Sequence, residues 1–184
     1  MKITEAQLIE GCSQGDRVYQ RELYQRYSGA MLMVCQRYSK SKADAEDILQ
    51  EAFIKVFKNI KEFKKKSTLG YWIKKIVVNT ALNFQRGKLY LFPMVDLDNT
   101  ISTTKADQAI ADCSLQELLT MIQTLPVGCQ VIFNLYAIEG YNHREIAEML
   151  EISEGTSKSQ YARARTILRH LVAQANNINY EKYQ

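Results

Sequence analysis

Proline is nearly missing from this 184-residue chain, which has two, and glycine numbers eight. So few chain-breaking residues exclude a turn-rich β architecture and favour helices. No apolar run approaches the roughly 20 residues that cross a bilayer, so no membrane insertion is expected. The N-terminus, MKITEAQLIEGCSQGD, has neither an apolar stretch nor a small-residue cleavage site. It does not read as a secretory signal, and a cytoplasmic location is the expectation. The four cysteines (12, 35, 113 and 129) form no CxxC pair, and the two histidines, His143 and His170, lie 27 residues apart. That spacing excludes a clustered zinc site and predicts reduced, partly buried thiols.

Catalytic signatures are also missing. There is no Gly-rich phosphate loop, no HExxH and no nucleophile elbow. The only dense carboxylates are Asp44, Glu46, Asp47 and Glu51. On a helix Asp47 and Glu51 share a face, with Glu46 about 100° round from Asp47. An exposed acidic face lacks the buried pocket that drives two carboxyl pKa values apart. The expectation is a protein with no catalytic residue, no metal and no cofactor, hence not an enzyme.

What is present is charge arranged in blocks. The formal net charge is only +4, but residues 55–88 hold ten Lys or Arg against one acid. Residues 89–113 carry four acids and one base, and residues 158–172 return to a net +4. Two basic blocks separated by an acidic stretch fit two contact surfaces on one polyanion.

Periodicity predicts an all-α protein of two small helical domains joined by a flexible linker. Thr4 and Gln7 form a capping box for a short helix that stops near Gly15. Asp16 caps the next, in which Leu23, Tyr24, Tyr27, Met31, Val34, Cys35 and Tyr38 make one apolar stripe. Ser41 opens a third with Ala45, Ile48, Leu49, Ala52, Phe53, Val56 and Phe57 inward. Residues 59–68, NIKEFKKKST, read as a basic loop. Ser67 or Thr68 then caps a helix holding Tyr71, Trp72, Ile73, Ile76, Val77, Ala81, Leu82 and Phe84. Residues 87–113 lose all periodicity and read as the domain boundary, although their apolar start, LYLFPMV, points to docking on a domain surface. Beyond it, Ser114 and Glu117 form a capping box and Pro126 opens a helix that Gly140 ends. Asn142 and Glu145 form another box, and Ser153 caps a last long helix.

Residues 142–150, a turn at Glu151 and Ile152, and residues 153–169 have the spacing of a helix-turn-helix. Tyr161, Ala164, Leu168 and Leu171 are its expected inward seam. Ser153, Glu154, Thr156, Ser159 and Gln160 crowd the first two turns, where short polar groups reach base edges. Lys158, Arg165 and Arg169 share another face, flanked by Arg163. In the first basic block Tyr71, Lys75, Asn79 and Arg86 lie on one helical strip, a combination that suits single-stranded or melting nucleic acid.

These stretches carry a resemblance. DAEDILQEAFIKVFKNIKEF (44–63) with WIKKIVVNTALNFQR (72–86) resembles region 2 of the extracytoplasmic-function (ECF) sigma factors of bacterial RNA polymerase. The stretch 125–168, from LPVGCQ to RTIL, resembles their region 4. The resemblance implies a region 2 domain at 1–87, a linker at 88–113, a region 4 domain at 114–175 and a tail at 176–184. It implies that Asp44, Glu46, Asp47, Gln50, Glu51 and Phe53 dock on the β′ clamp helices of core RNA polymerase, with the β flap as a second contact. Phe63, Lys64, Lys65, Lys66, Trp72, Lys75, Asn79, Asn83 and Arg86 would meet the minus-ten element of promoter DNA. Ser153, Glu154, Thr156, Lys158, Ser159, Gln160, Arg163 and Arg165 would meet the minus-thirty-five element. An anti-sigma factor is a further implied partner, and with no domain after Gln184, sensing in cis is not expected.

The chain departs from the family at three places. Glu151 stands where a glycine is frequent, Ser157 where an apolar inner residue is common, and Gln160 where arginine is common. A left-handed Glu151 costs on the order of 1 kcal/mol. These departures bear on promoter preference, not on the fold. A stand-alone helix-turn-helix regulator leaves the acidic helix and the Trp-containing strip without a role, and a protein-only adaptor leaves both basic blocks unused.

Overall fold

The structure, a computed structural model, describes residues 3–89 and 115–182, with side chains described for 3–86 and 116–175. Cys113, the Ser114 cap and the linker beyond Leu89 lie outside them. The chain divides into two compact units, Met1–Arg86 and Gly87–Gln184, and every described element is helical.

The first unit contains α1 (Glu5–Ser13), α2 (Arg17–Tyr38), α3 (Lys42–Asn59), a 3-10 turn (Ile60–Glu62) and α4 (Leu69–Leu89). The N-terminal caps are those read from the sequence. Thr4 and Gln7 form their reciprocal box, Asp16 accepts from the Val18 amide at 2.7 Å, and Ser41 accepts from that of Asp44 at 3.0 Å. At α4 it is Thr68 that caps, accepting from the Tyr71 amide at 3.3 Å. The β-branched run 76–78 is helical, held by the long pattern on both sides. Leu8, Leu23, Ile48, Val56, Ile60, Leu69, Ile73 and Val77 form the buried centre. Gly11 lets α1 approach α2, since a Cβ there would fall 2.2 Å from Cγ of Tyr19. Cys12 and Cys35 are buried in this unit, and burial pushes their thiols up to about 11 and about 12. They stay un-ionised at neutral pH and pack as small hydrophobes.

The second unit contains α5 (Leu115–Thr124), α6 (Val127–Phe133), a π-helical turn (Asn134–Ile138), α7 (His143–Leu150) and α8 (Glu154–Lys182). The sequence predicts one uninterrupted helix from Pro126 to Gly140. Instead the ladder widens after Phe133, and the Glu139 amide donates to the Asn134 carbonyl at 2.9 Å, an i→i+5 bond. Gly140, at φ +83, then ends the segment. The core is built on Leu125, Cys129 and Ala164, against which Phe133, Ile167 and Leu168 pack. Helix α8 runs to Lys182, so the stretch expected as a tail from 176 begins as helix.

Glu151 ends α7 in the left-handed region, at φ 57 and ψ 44. Replacing it by glycine removes a steric cost of about 1–2 kcal/mol, which exceeds the roughly 0.4–1 kcal/mol lost to a freer unfolded chain. The expected result for Glu151→Gly is a melting temperature of the second unit raised by about 2–5 °C, read by calorimetry. An unchanged or lower value would mean that the Glu151 side chain offsets its own strain.

Candidate nucleic-acid interface

Three surfaces carry the residues singled out by the sequence. On α3, Glu46, Asp47, Gln50 and Glu51 are exposed and Asp44 is half-buried. Glu46 faces Lys42 at 3.6 Å and Glu51 faces Lys55 at 2.6 Å, both one turn apart on the open surface. Such exposed pairs are worth only about 0.3–0.5 kcal/mol, so the carboxylates remain available to a stronger partner. Lys55 also reaches Thr80 on α4 at 3.4 Å. Phe53 does not belong to this surface. It is 2% exposed, with the Tyr24 ring edge-on at 4.7 Å, because its position is on the apolar stripe of α3. Ile54, one residue on and 54% exposed, is the apolar side chain that continues the acidic strip. Its 3–4 spacing from Gln50 and Asp47 was the available signal.

The second surface joins the 64–68 loop to α4. Lys64, Lys65 and Lys66 are exposed, and Lys65 adopts a left-handed φ of 55. Phe63 is buried, with its ring centroid 5.3 Å from that of half-buried Trp72. This pair anchors the root of the loop, so Phe63 is closed, and Trp72 half-closed, to the minus-ten contact that the resemblance implies. The exposed aromatic is Tyr71, at 57%. Lys75, Asn79, Asn83 and Arg86 are exposed along the same helix, while Leu82 turns inward.

The third surface is the helix-turn-helix. Asn142 and Glu145 close their capping box at 2.7 and 3.0 Å. Ala147, small and 8% exposed, sits on the inner face of α7, and Ser153 accepts from the Thr156 amide at 2.9 Å to start α8. Ser153, Glu154, Lys158 and Arg163 are exposed, and Thr156, Ser159 and Arg165 are half-buried. Lys158 pairs with Glu154 at 3.3 Å, and the Arg165 guanidinium lies 5.8 Å from the centre of the Tyr161 ring.

Gln160 is the correction here. Expected at base edges, it is 6% exposed and accepts a hydrogen bond from the Cys129 thiol at 3.0 Å. Ser157 is fully buried, its hydroxyl 2.9 Å from Nδ1 of His143. The inward seam therefore runs through Ser157, Gln160, Ala164 and Val172, with Tyr161 half-buried at its edge. The sequence points to Tyr161 because it is the more apolar residue. Gln160 takes that inward place because its side chain finds a partner in Cys129, while Ser157 lies on the inner face as the resemblance implies.

His143 also stacks on Tyr136 at 4.3 Å and meets the edge of Tyr161 at 5.9 Å. Burial, helped by nearby Lys158 and opposed by Glu154, pushes its imidazole below the ordinary histidine value. The ring is thus neutral at physiological pH, able to hold its bond to Ser157. Among the described residues no cluster of His, Cys, Asp or Glu offers a metal site, and no helix is long and apolar enough to cross a membrane.

Comparison with known proteins bears on all three surfaces. The family model Sigma-70 region 2 matches residues 23–88, and Sigma-70, region 4 matches residues 115–168, together well over half of the chain. The ECF RNA polymerase sigma-E factor of Haemophilus influenzae is 27% identical over 186 residues, spanning 93% of this chain and 96% of that protein. The sigma-E factor of Escherichia coli is 28% identical over 176 residues, spanning 89% and 92%. In fold, the chain resembles the sigma factor RpoE of Bartonella quintana, solved in complex with the anti-sigma factor NepR. The TM-score is 0.51 at 20% identity, over 83% of this chain and 96% of that one.

Proposed function

The chain belongs to the ECF sigma factors of the sigma-70 family, and from that membership we propose that it binds core RNA polymerase in the cytoplasm and directs initiation at specific promoters, without chemistry of its own. The observation that carries this reading is the pairing, in one chain, of an exposed acidic strip on α3 with two separate cationic surfaces on α4 and α8. A free-standing DNA-binding module has no use for the first. Docking of Asp47, Gln50 and Glu51 on the β′ clamp places the two domains on one promoter. The β flap is the proposed second contact, for the region 4 domain. The proposed domain roles are region 2 for residues 1–87 and region 4 for residues 114–175, supported by matches over 23–88 and 115–168.

In the first domain Lys64, Lys65 and Lys66 hold backbone phosphates of the melting minus-ten strand. Lys75, Asn79, Asn83 and Arg86 continue that track, and Tyr71 rather than Trp72 offers a ring for stacking. In the second, the first turns of α8 enter the major groove, with Ser153, Glu154, Thr156 and Ser159 toward base edges. Arg163 and Arg165 lie about 160° apart on the helix, so they reach the phosphate rows on opposite sides of the groove, and Lys158 shares the Arg165 side. An anti-sigma factor is the proposed regulator of access to these surfaces.

Purified protein added to core polymerase is expected to start transcription at a defined promoter. Initiation no better than core enzyme alone would remove the reading. Arg165→Ala is expected to weaken duplex binding about equally on all sequences and to flatten the salt slope by about one unit. An unchanged slope would move that side chain off the DNA.

A further inference from the structure

Ser157 and Gln160 face away from the DNA-facing side of α8, yet they sit where a helix of this kind ordinarily places an apolar group or an outward cation. Ser157 is fully buried and bonds at 2.9 Å to Nδ1 of His143, the first residue of α7. Gln160 is 6% exposed and takes the Cys129 thiol, on α6, at 3.0 Å. Three residues separate the two, about 60° on the helix wheel. They therefore hold α8 on two flanks against two different neighbours. On the second flank a Cβ on Gly128 would lie at ordinary contact distance, 3.5 Å, from Oε1 of Gln160.

The other contacts of α8 are the apolar packing of Ala164, Ile167 and Leu168 with Leu125, Cys129 and Phe133, and, at the edge of the seam, the Tyr161 ring against Phe133, Tyr136 and His143. Apolar packing around a residue as small as alanine tolerates a roll of several degrees, whereas a hydrogen bond weakens steeply once its angle is lost. A roll of about 10° moves a point on the helix surface by about 1 Å, enough to spoil a bidentate contact with a base edge but not the attraction of a cation for phosphate.

Resting on the function proposed above, we propose that Ser157 and Gln160 are positioning residues, whose hydrogen bonds to His143 and Cys129 lock the roll of α8 and so set its sequence selectivity from inside the domain. Neither side chain touches DNA. Both act through Ser153, Glu154, Thr156 and Ser159, whose approach to base edges depends on that roll.

The test uses the full chain reconstituted with core polymerase. A duplex selected from a random pool by the wild-type complex is compared with an unrelated duplex at one fixed salt concentration. Ser157→Ala and Cys129→Ala, each removing one hydrogen bond, are expected to lower the ratio of the two affinities about five- to tenfold, the worth of one good base contact. Affinity for the unrelated duplex and the salt slope are expected to stay as in the wild type, because the phosphate contacts are untouched. Cys129→Ser, which keeps a donor for Gln160, is expected to retain most of the selectivity. A selectivity ratio unchanged in folded Ser157→Ala and Cys129→Ala would overturn the proposal, as would a Cys129→Ser variant as indiscriminate as Cys129→Ala. A wild-type complex that selects no duplex at all would instead overturn the function on which the proposal rests.

Discussion

Reversing the charge of Asp47 and Glu51 together, by Asp47→Lys with Glu51→Lys, lowers affinity for core polymerase on the order of a hundredfold. Promoter-dependent initiation at limiting core falls with it. Like charges brought together at an interface cost several kcal/mol, and each 1.4 kcal/mol is tenfold in affinity. The fold loses little by comparison. Both side chains are exposed on α3, and the Glu51–Lys55 pair, with side chains 54% and 35% exposed, is worth a few tenths of a kcal/mol. Competition for fluorescent core, run beside a thermal melt, separates the two effects. Full affinity in a variant that melts normally would take docking off this face. Phe53→Ala is no substitute as a probe, because removing a ring that is 2% exposed opens a cavity and unfolds the unit for reasons unrelated to docking.

Leu125→Ala is expected to have the largest effect on stability. Leu125 is fully buried against Cys129 and Ala164, with Phe133, Ile167 and Leu168 around it. Truncation of such a leucine costs about 2–5 kcal/mol, against a total of roughly 5 kcal/mol for a domain this small. The melting temperature of the second unit falls by about 10–30 °C, and specific duplex binding is lost near physiological temperature. The first unit, with its own buried centre, is expected to keep its own transition. Calorimetry resolves the two events. A shift of only a few degrees would mean that the residues around position 125 collapse into the space.

Much of this protein is legible residue by residue because its signals are local. The caps at Thr4, Asp16, Ser41, Asn142 and Ser153 each act within three residues of themselves, and the sequence places them correctly. The acidic run on α3 and the lysines at 64–66 are surface features that need no partner to be recognised. Where the reading goes astray, a distant residue decides. Phe63 and Trp72 stand among the minus-ten contacts that the resemblance implies until the fold puts them against each other, while Tyr71 stays exposed on the strip where the sequence puts it. Nothing near position 133 announces the π-helical turn, which carries Tyr136 onto His143.

By itself the sequence determined the helices, their starts, the division into two units and the chemical character of each surface, since all of these follow from period, capping and composition over short spans. The tertiary structure alone decided that Gln160, and not Tyr161, takes the inward place on α8. A helix turns 100° with each residue, so a pattern read one position off exchanges an edge residue for a core one, and only a partner can break the tie. Cys129, 31 residues away from Gln160, is that partner.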